Sequence, residues 1–322
     1  MTLARGAGAV LLALLLLEPW LPLGDVRQYL LHVLIQIFVW AFIGGAWSLM
    51  GRFGLVSLGH GAFLGLGAYT AALLWNFWGL TPWLGGLVAY PCSRFQVIGH
   101  YFGLVTLAVG EVVRLLIIAE RDWTGGSLGL SLKPAQGDSL LAMQFADKTV
   151  FYYASLLLWL AGLLVWRRVD RSMARSAMEA IGEDETAAAS VGIHVTRFKV
   201  GMTALSAALT AVGGVAYAQY ISYVNPDTLA GIGVSLRIVF AVVLGGMYSL
   251  LGATVGTALT IALSEYLRIV LGLKFIGMAE TIYGLLLILF IIFLPAGIYG
   301  SLASLATRVR RGTMVAGSAG PA

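Results

Sequence analysis

Cysteine occurs once in the 322 residues, at Cys92, which excludes an internal disulfide and any multi-cysteine metal site. Charge is scarce as well. Only 11% of the residues are Asp, Glu, Lys or Arg, against 59% hydrophobic, and mean hydropathy is +0.90. A soluble domain of this length carries far more surface charge, so lipid rather than water must solvate most of this chain. There is no G-x-x-x-x-G-K-[ST] loop to cradle nucleotide phosphates and no H-E-x-x-H zinc pair. The four histidines, His32, His60, His100 and His194, stand far apart, which argues against a catalytic metal. Gly125-Gly126-Ser127-Leu128-Gly129 matches G-x-S-x-G, but a hydrolase needs that serine on a strand-to-helix turn, and these residues fall in a loop of a helical chain.

Long apolar runs take the place of the missing charge, as in 149–166 and 281–294. Only helices and closed barrels satisfy every backbone polar group in lipid. A barrel would show short strands alternating apolar and polar, which these runs do not. The sequence therefore predicts an all-α integral membrane protein, a polytopic helical bundle of about ten spans. They are 8–23, 29–50, 54–76, 80–98, 101–119, 149–166, 200–221, 232–247, 250–271 and 276–296, each near the ~20 residues that cross a bilayer. Residues 8–23 are taken as a first helix rather than a signal peptide, because no small-residue cleavage site follows them. Glycine is abundant, at 41 residues against 8 prolines. It lies inside the apolar runs, where small residues let helix backbones approach closely.

Net charge is +5, but the basic residues sit between spans, so sidedness explains them better than nucleic acid does. Arg167, Arg168, Arg171, Arg175, Arg197 and Lys199 place the loop 167–199 in the cytoplasm by the positive-inside rule. Arg308, Arg310 and Arg311 place the tail 300–322 there too. The four intervening spans agree with both, and counting back puts Arg5, Arg52 and Arg94 inside. The whole chain, 1–322, reads as a single transmembrane domain. Gly44 to Gly51 (GGAWSLMG) recurs in outline as Gly245 to Gly252 (GGMYSLLG), which suggests an internal two-fold repeat of broken, Gly-rich helices.

Residues 51–69 hold six glycines with Ser57 and His60 among them. Each interior glycine weakens a helix by about 1 kcal/mol relative to alanine. Two readings stand: a distorted helix lining a polar pathway, or a close helix crossing whose polar groups are satisfied by neighbours. A charge at the bilayer centre costs about 2.5–3.5 kcal/mol and so faces protein or water. Glu111 and Arg114, and Glu265 and Arg268, are spaced to neutralise each other on one helix face. Arg237 interrupts the apolar run 232–247. Ser57, His60, Thr106 and Glu111 are the candidate pathway residues. In the loop, Met178 to Val195 holds an acidic, alanine-rich stretch that forms helix readily and that Gly192 is placed to end. Composition alone favours a solvated connector with no partner, whereas a short exposed helix held between two spans also suits docking into a groove on a partner.

Four blocks resemble the permease subunits of bacterial high-affinity branched-chain amino acid ABC transporters, a family that includes urea and short-chain amide permeases. They are GRFGLVSLGHGAFLGLGAYTAALL from Gly51, YFGLVTLAVGEVVRLL from Tyr101 with WTGGSLGL from Trp123, AIGEDETAAASVGIHVTRFKV from Ala180, and LGGMYSLLGATVGTAL from Leu244. Their order along nearly the whole chain makes the joint match specific. The segment 88–100 (VAYPCSRFQVIGH) departs from the family's usual text.

The resemblance implies a bacterial inner-membrane subunit that is not itself an enzyme and holds no cofactor of its own. ATP would be bound by partner ATPase subunits. A second homologous permease and a periplasmic substrate-binding protein are the other implied partners. It also makes 167–199 a coupling loop, with Glu185, Thr186, Ala187, Ala188 and Gly192 in an ATPase-coupling helix. Ala187, Ala188 and Gly192 fit the Ala-Ala-x-x-x-Gly core of the importer signature, with Thr186 where an acid is expected and Glu185 one position earlier. The competing reading is an ATPase-independent secondary transporter or channel for a small polar solute.

Overall fold

A computed structural model describes residues 13–20, 24, 26–81, 102–134, 143–145, 147–271, 278–293 and 297–298. The described part is a helical membrane bundle. Its main helices are α1 (Val26–Gly51), α2 (His60–Trp78), α3 (Phe102–Ala119), α4 (Lys148–Asp170), α5 (Met173–Glu183), α6 (Glu185–Ser190), α7 (Val195–Ile221), α8 (Ile232–Gly245), α9 (Gly252–Leu271) and α10 (Met278–Phe293). Among the described residues, five helical stretches are long and apolar enough to cross a membrane: Val26–Gly51, Lys148–Asp170, Val195–Ile221, Pro226–Gly245 and Gly252–Val270. Helices α2, α3 and α10 lie where further spans are expected. Span 80–98 beyond residue 81 and the tail 300–322 lie outside the described residues, as does all of span 8–23 except 13–20.

Apolar on every face from Ile37 to Met50, α1 is the axis of the bundle, as suits a helix with no polar stripe there. Leu31, Ile35, Ile43 and Trp47 are fully buried, and α4, α7, α8 and α9 pack around it. Helices α2 and α7 cross so closely that their backbones touch. A Cβ on Gly67 would lie 2.1 Å from the Ala211 carbonyl oxygen, and one on Gly214 would lie 2.2 Å from that of Leu64.

The run expected to span 54–76 becomes helical only at His60. Ahead of it the backbone turns at Gly54, φ +82°, and its polar groups are satisfied sideways. The Trp47 indole donates to the Ser57 carbonyl at 2.9 Å, and the Leu58 amide donates to the Thr106 hydroxyl at 3.1 Å. Hydropathy does not register a break of this kind, because the residues stay apolar. The two GG-led segments also take different local structures. Residues 44–51 continue α1, whereas Gly246, φ +109°, breaks the chain between α8 and α9.

The helix ends gather into two groups. At one end Arg52, just past α1, pairs with Asp170 at the close of α4 at 2.8 Å, and α5 and α6 follow there. At the other end β1 (Leu130–Ser131) pairs antiparallel with β2 (Tyr223–Val224), Leu130 opposite Val224. Asn76 near the end of α2 donates to the Ser131 carbonyl at 2.9 Å and accepts from the Lys133 amide at 2.8 Å.

Candidate functional site

Two sets of residues carry the functional expectations, one outside the apolar spans and one within them. The outer set is the connection between α4 and α7. Helix α5 is amphipathic and turns Ala177, Met178 and Ile181 inward. Met178 and Ile181 join Leu49, Met50, Trp166 and Met202 in a buried apolar cluster at the ends of α1, α4 and α7. Arg175 ties α5 to the end of α4 by pairing with Asp170 at 3.3 Å, and it pairs within α5 with Glu179 at 2.8 Å. The Arg52 guanidinium also lies 4.2 Å from the Trp166 ring and 4.7 Å from the Phe53 ring, within cation–π range.

Asp184 separates α5 from α6 and caps α6. Its carboxylate accepts from the Thr186 amide at 2.7 Å, the Thr186 hydroxyl at 2.5 Å and the Ala187 amide at 3.0 Å. The Thr186 hydroxyl, together with those two amides, holds the carboxyl below its ordinary range. Helix α6 ends in a Schellman arrangement: the Gly192 amide donates to Ala189 at 3.0 Å and the Ile193 amide to Ala188 at 3.1 Å. Gly192 has φ +90°, a conformation that favours glycine.

The five residues expected in the coupling helix face different ways. Ala188 is buried at 3% exposure and seats α6 on the apolar cluster. Glu185 pairs with Lys199 of α7, whose side chain is otherwise buried. Thr186 and Ala187 face outward, and Gly192 lies exposed just past the helix. Val191 is 76% exposed at the tip, a residue that sequence reasoning missed. Its signal was an apolar side chain between a soluble helix and the glycine that ends it. An open recess lies beside this tip, lined by Ala189, Gly192, His194 and Arg197 among others.

The inner set begins with Ser57, His60 and Thr106, which the fold brings together where α2, α3 and α7 meet. All three lie in the protein interior, at 0%, 0% and 5% exposure. His60 Nε2 is 2.9 Å from the Ser206 hydroxyl, which is 2.7 Å from the Ala46 carbonyl. Ser206 has one proton to give, and the Ala46 carbonyl can only accept it. His60 is therefore assigned its proton on Nε2. The Gly61 amide donates to the Ser235 hydroxyl at 2.8 Å. Glu111 is not part of this group. It grips Arg114 with both oxygens at 3.0 Å, and Arg114 reaches on to Asp227 at 2.6 Å. The expected Glu265–Arg268 pair also forms, at 2.7 Å. Among the described residues no group of three or more His, Cys, Asp or Glu could hold a metal ion.

A family model described as "Branched-chain amino acid transport system / permease component" matches residues 29–294. The chain belongs to this permease family. Two relatives agree. Over 284 residues the chain is 31% identical to the high-affinity branched-chain amino acid transport system permease protein LivM of Salmonella typhimurium and 30% identical to LivM of Escherichia coli. Each alignment covers 77% of this chain and 64% of the relative, so the chain spans under two thirds of the relatives' length. No solved structure matches it. The family is one of membrane permeases, and the match takes in nearly all of α1 and the whole of α2 to α10, including the loop with α5 and α6.

Proposed function

We propose that this chain is the membrane-spanning permease subunit of an ATP-driven importer in the bacterial inner membrane. It carries branched-chain amino acids, or a related small amino acid or amide, into the cytoplasm. The observation that carries this reading is the construction of α6: capped at both ends, exposed at Ala187 and Val191, and seated on α1, α4 and α7. Such a helix is built to receive force from a partner, and the chain has no phosphate-binding loop of its own. Separate ATPase subunits bind the ATP. A second permease completes the channel, and a periplasmic binding protein delivers the solute.

The mechanism follows from the contacts. Closure of the ATPase displaces α6. Ala188 passes the displacement into the Met178–Trp166–Met202 cluster, and the Glu185–Lys199 pair passes it to the start of α7. The spans then tilt about a central route as rigid bodies, from outward- to inward-facing.

Co-purification from mild detergent tests the reading. Ala188 points inward, so the informative substitutions are Ala187→Glu and Val191→Asp on the exposed side. ATPase subunits are expected to accompany the wild type and to be lost with both variants, while the permease keeps its elution profile. If no ATPase accompanies the wild type, the reading falls and an ATPase-independent secondary transporter or channel replaces it.

A further inference from the structure

A cavity of about 160 Å³ opens among α1, α7, α8 and α9, in the half of the bundle away from α5 and α6. Its wall is polar at positions that belong to apolar helices. Gln36 comes from α1 and Arg237 from α8, while Thr260, Ser264 and Glu265 come from α9. The four-residue spacing puts Thr260 and Ser264 on one face of α9, and Glu265 lines the cavity from the flank of that face. Trp40 and Ile238 supply an apolar side.

Arg237 stands out by its place midway along an apolar stretch. Three other arginines in or beside apolar helices are held by carboxylates: Arg52 by Asp170, Arg114 by Glu111 and Asp227, and Arg268 by Glu265, while Arg27 near the start of α1 donates to the Thr149 hydroxyl. Arg237 pairs with no carboxylate among the described residues, yet it stands in the membrane-spanning stretch Pro226–Gly245 and lines the cavity. An intramembrane cation is retained where it faces water or a counter-charge. Among the described residues no carboxylate pairs directly with Arg237, and the cavity leaves room for one to arrive. A guanidinium binds a carboxylate through two parallel hydrogen bonds. Glu265, already oriented by Arg268 at 2.7 Å and by the Tyr29 hydroxyl at 3.3 Å, supplies negative charge on another wall. The Gln36 amide and the Ser264 hydroxyl add neutral acceptors.

We propose that this cavity is a transit site for an aliphatic α-amino acid in its zwitterionic form. Arg237 receives the carboxylate, the Glu265 side receives the ammonium group, and Trp40 and Ile238 cover the aliphatic side chain. The proposal rests on the importer reading for its direction of transport and deepens it by naming a site within the membrane. The binding it asserts does not depend on the ATPase.

The test is equilibrium binding of radiolabelled L-leucine to the chain in nanodiscs, alone and with its co-purifying subunits. The competitors are unlabelled L-leucine and L-leucine methyl ester, which keeps the amine and side chain but has no carboxylate. The wild type is expected to bind leucine saturably, and the ester is expected to compete at least about tenfold less well, as loss of a charged hydrogen bond implies. Arg237→Gln should weaken leucine binding by a similar factor and Arg237→Lys by less. The ester comparison is made on the wild type, so it holds even if a variant misfolds. No saturable leucine binding, equal competition by the ester, or unchanged affinity in a folded Arg237→Gln each overturns the proposal. Arg237-dependent binding without any associated ATPase upholds the site and removes the importer reading instead.

Discussion

Two polar regions inside the bundle are built on opposite plans. Around His60, every element approaches until backbones touch, and Ser206, Ser235 and Thr106 each engage a neighbouring polar group. Around Arg237, a comparable set of hydroxyl, amide and charged groups surrounds open space. Helix-borne polar residues alone do not distinguish the two. What distinguishes them is whether the groups spend their hydrogen bonds on the protein. The closed region fixes how the helices cross. The open region keeps its capacity for something that comes and goes.

The contrast can be broken most forcefully at the α2–α7 crossing. Gly67→Val would drive a side chain into the Ala211 carbonyl, which cannot yield as a flexible side chain could. A loss of about 3 kcal/mol or more is expected, seen as aggregation or a collapsed Tm in fluorescence-detected size exclusion. A milder comparison uses two serines. Ser206→Ala leaves His60 Nε2 buried without its partner and should cost about 1–3 kcal/mol. Ser264→Ala, on an exposed position beside the cavity, should change stability by less than about 0.5 kcal/mol. Equal Tm shifts for the two would erase the distinction drawn here.

The smallest effect concerns the cap of α6. Asp184 has its folded carboxyl pKa held down, so its contribution is present above the ordinary carboxylate range and is lost as pH falls through the depressed value. A spin label at Ser190 should gain mobility on acidification in the wild type. In Asp184→Asn, which caps without titrating, it should not. Asp184→Ala should be mobile at every pH.

Much of the bundle was legible from hydropathy, because α1, α4, α7 and α9 are long apolar runs bounded by polar residues. The cap at Gly192 and the pairs Glu111–Arg114 and Glu265–Arg268 were legible too, since each is set within one or two helical turns. Long-range partners were not. Nothing local to Glu185 points to Lys199, or to Arg114 points to Asp227. The start of α2 escaped because a broken helix and an intact one share the same apolar composition. Likewise Ser57 and His60 could be read as pathway or as packing, since only the neighbours decide, and here the neighbours are Trp47 and Ser206. The Arg237 cavity is a property of four helices at once, and no single stretch of sequence carries it.

The two-residue ladder between β1 and β2 has a mechanical consequence. Helix α7 has 27 residues, about 40 Å at 1.5 Å per residue, and it runs from Val195, just past α6, almost to Tyr223 in that ladder. A lever of this length turns a small rotation at its driven end into a larger sweep at its far end. The ladder fastens that far end to the segment after α3, and Asn76 fastens the same segment to α2. On the importer reading proposed above, a push on α7 would reach the far ends of these helices as movement of a strapped block of three, and an outer gate would open along the edge of that block rather than through it.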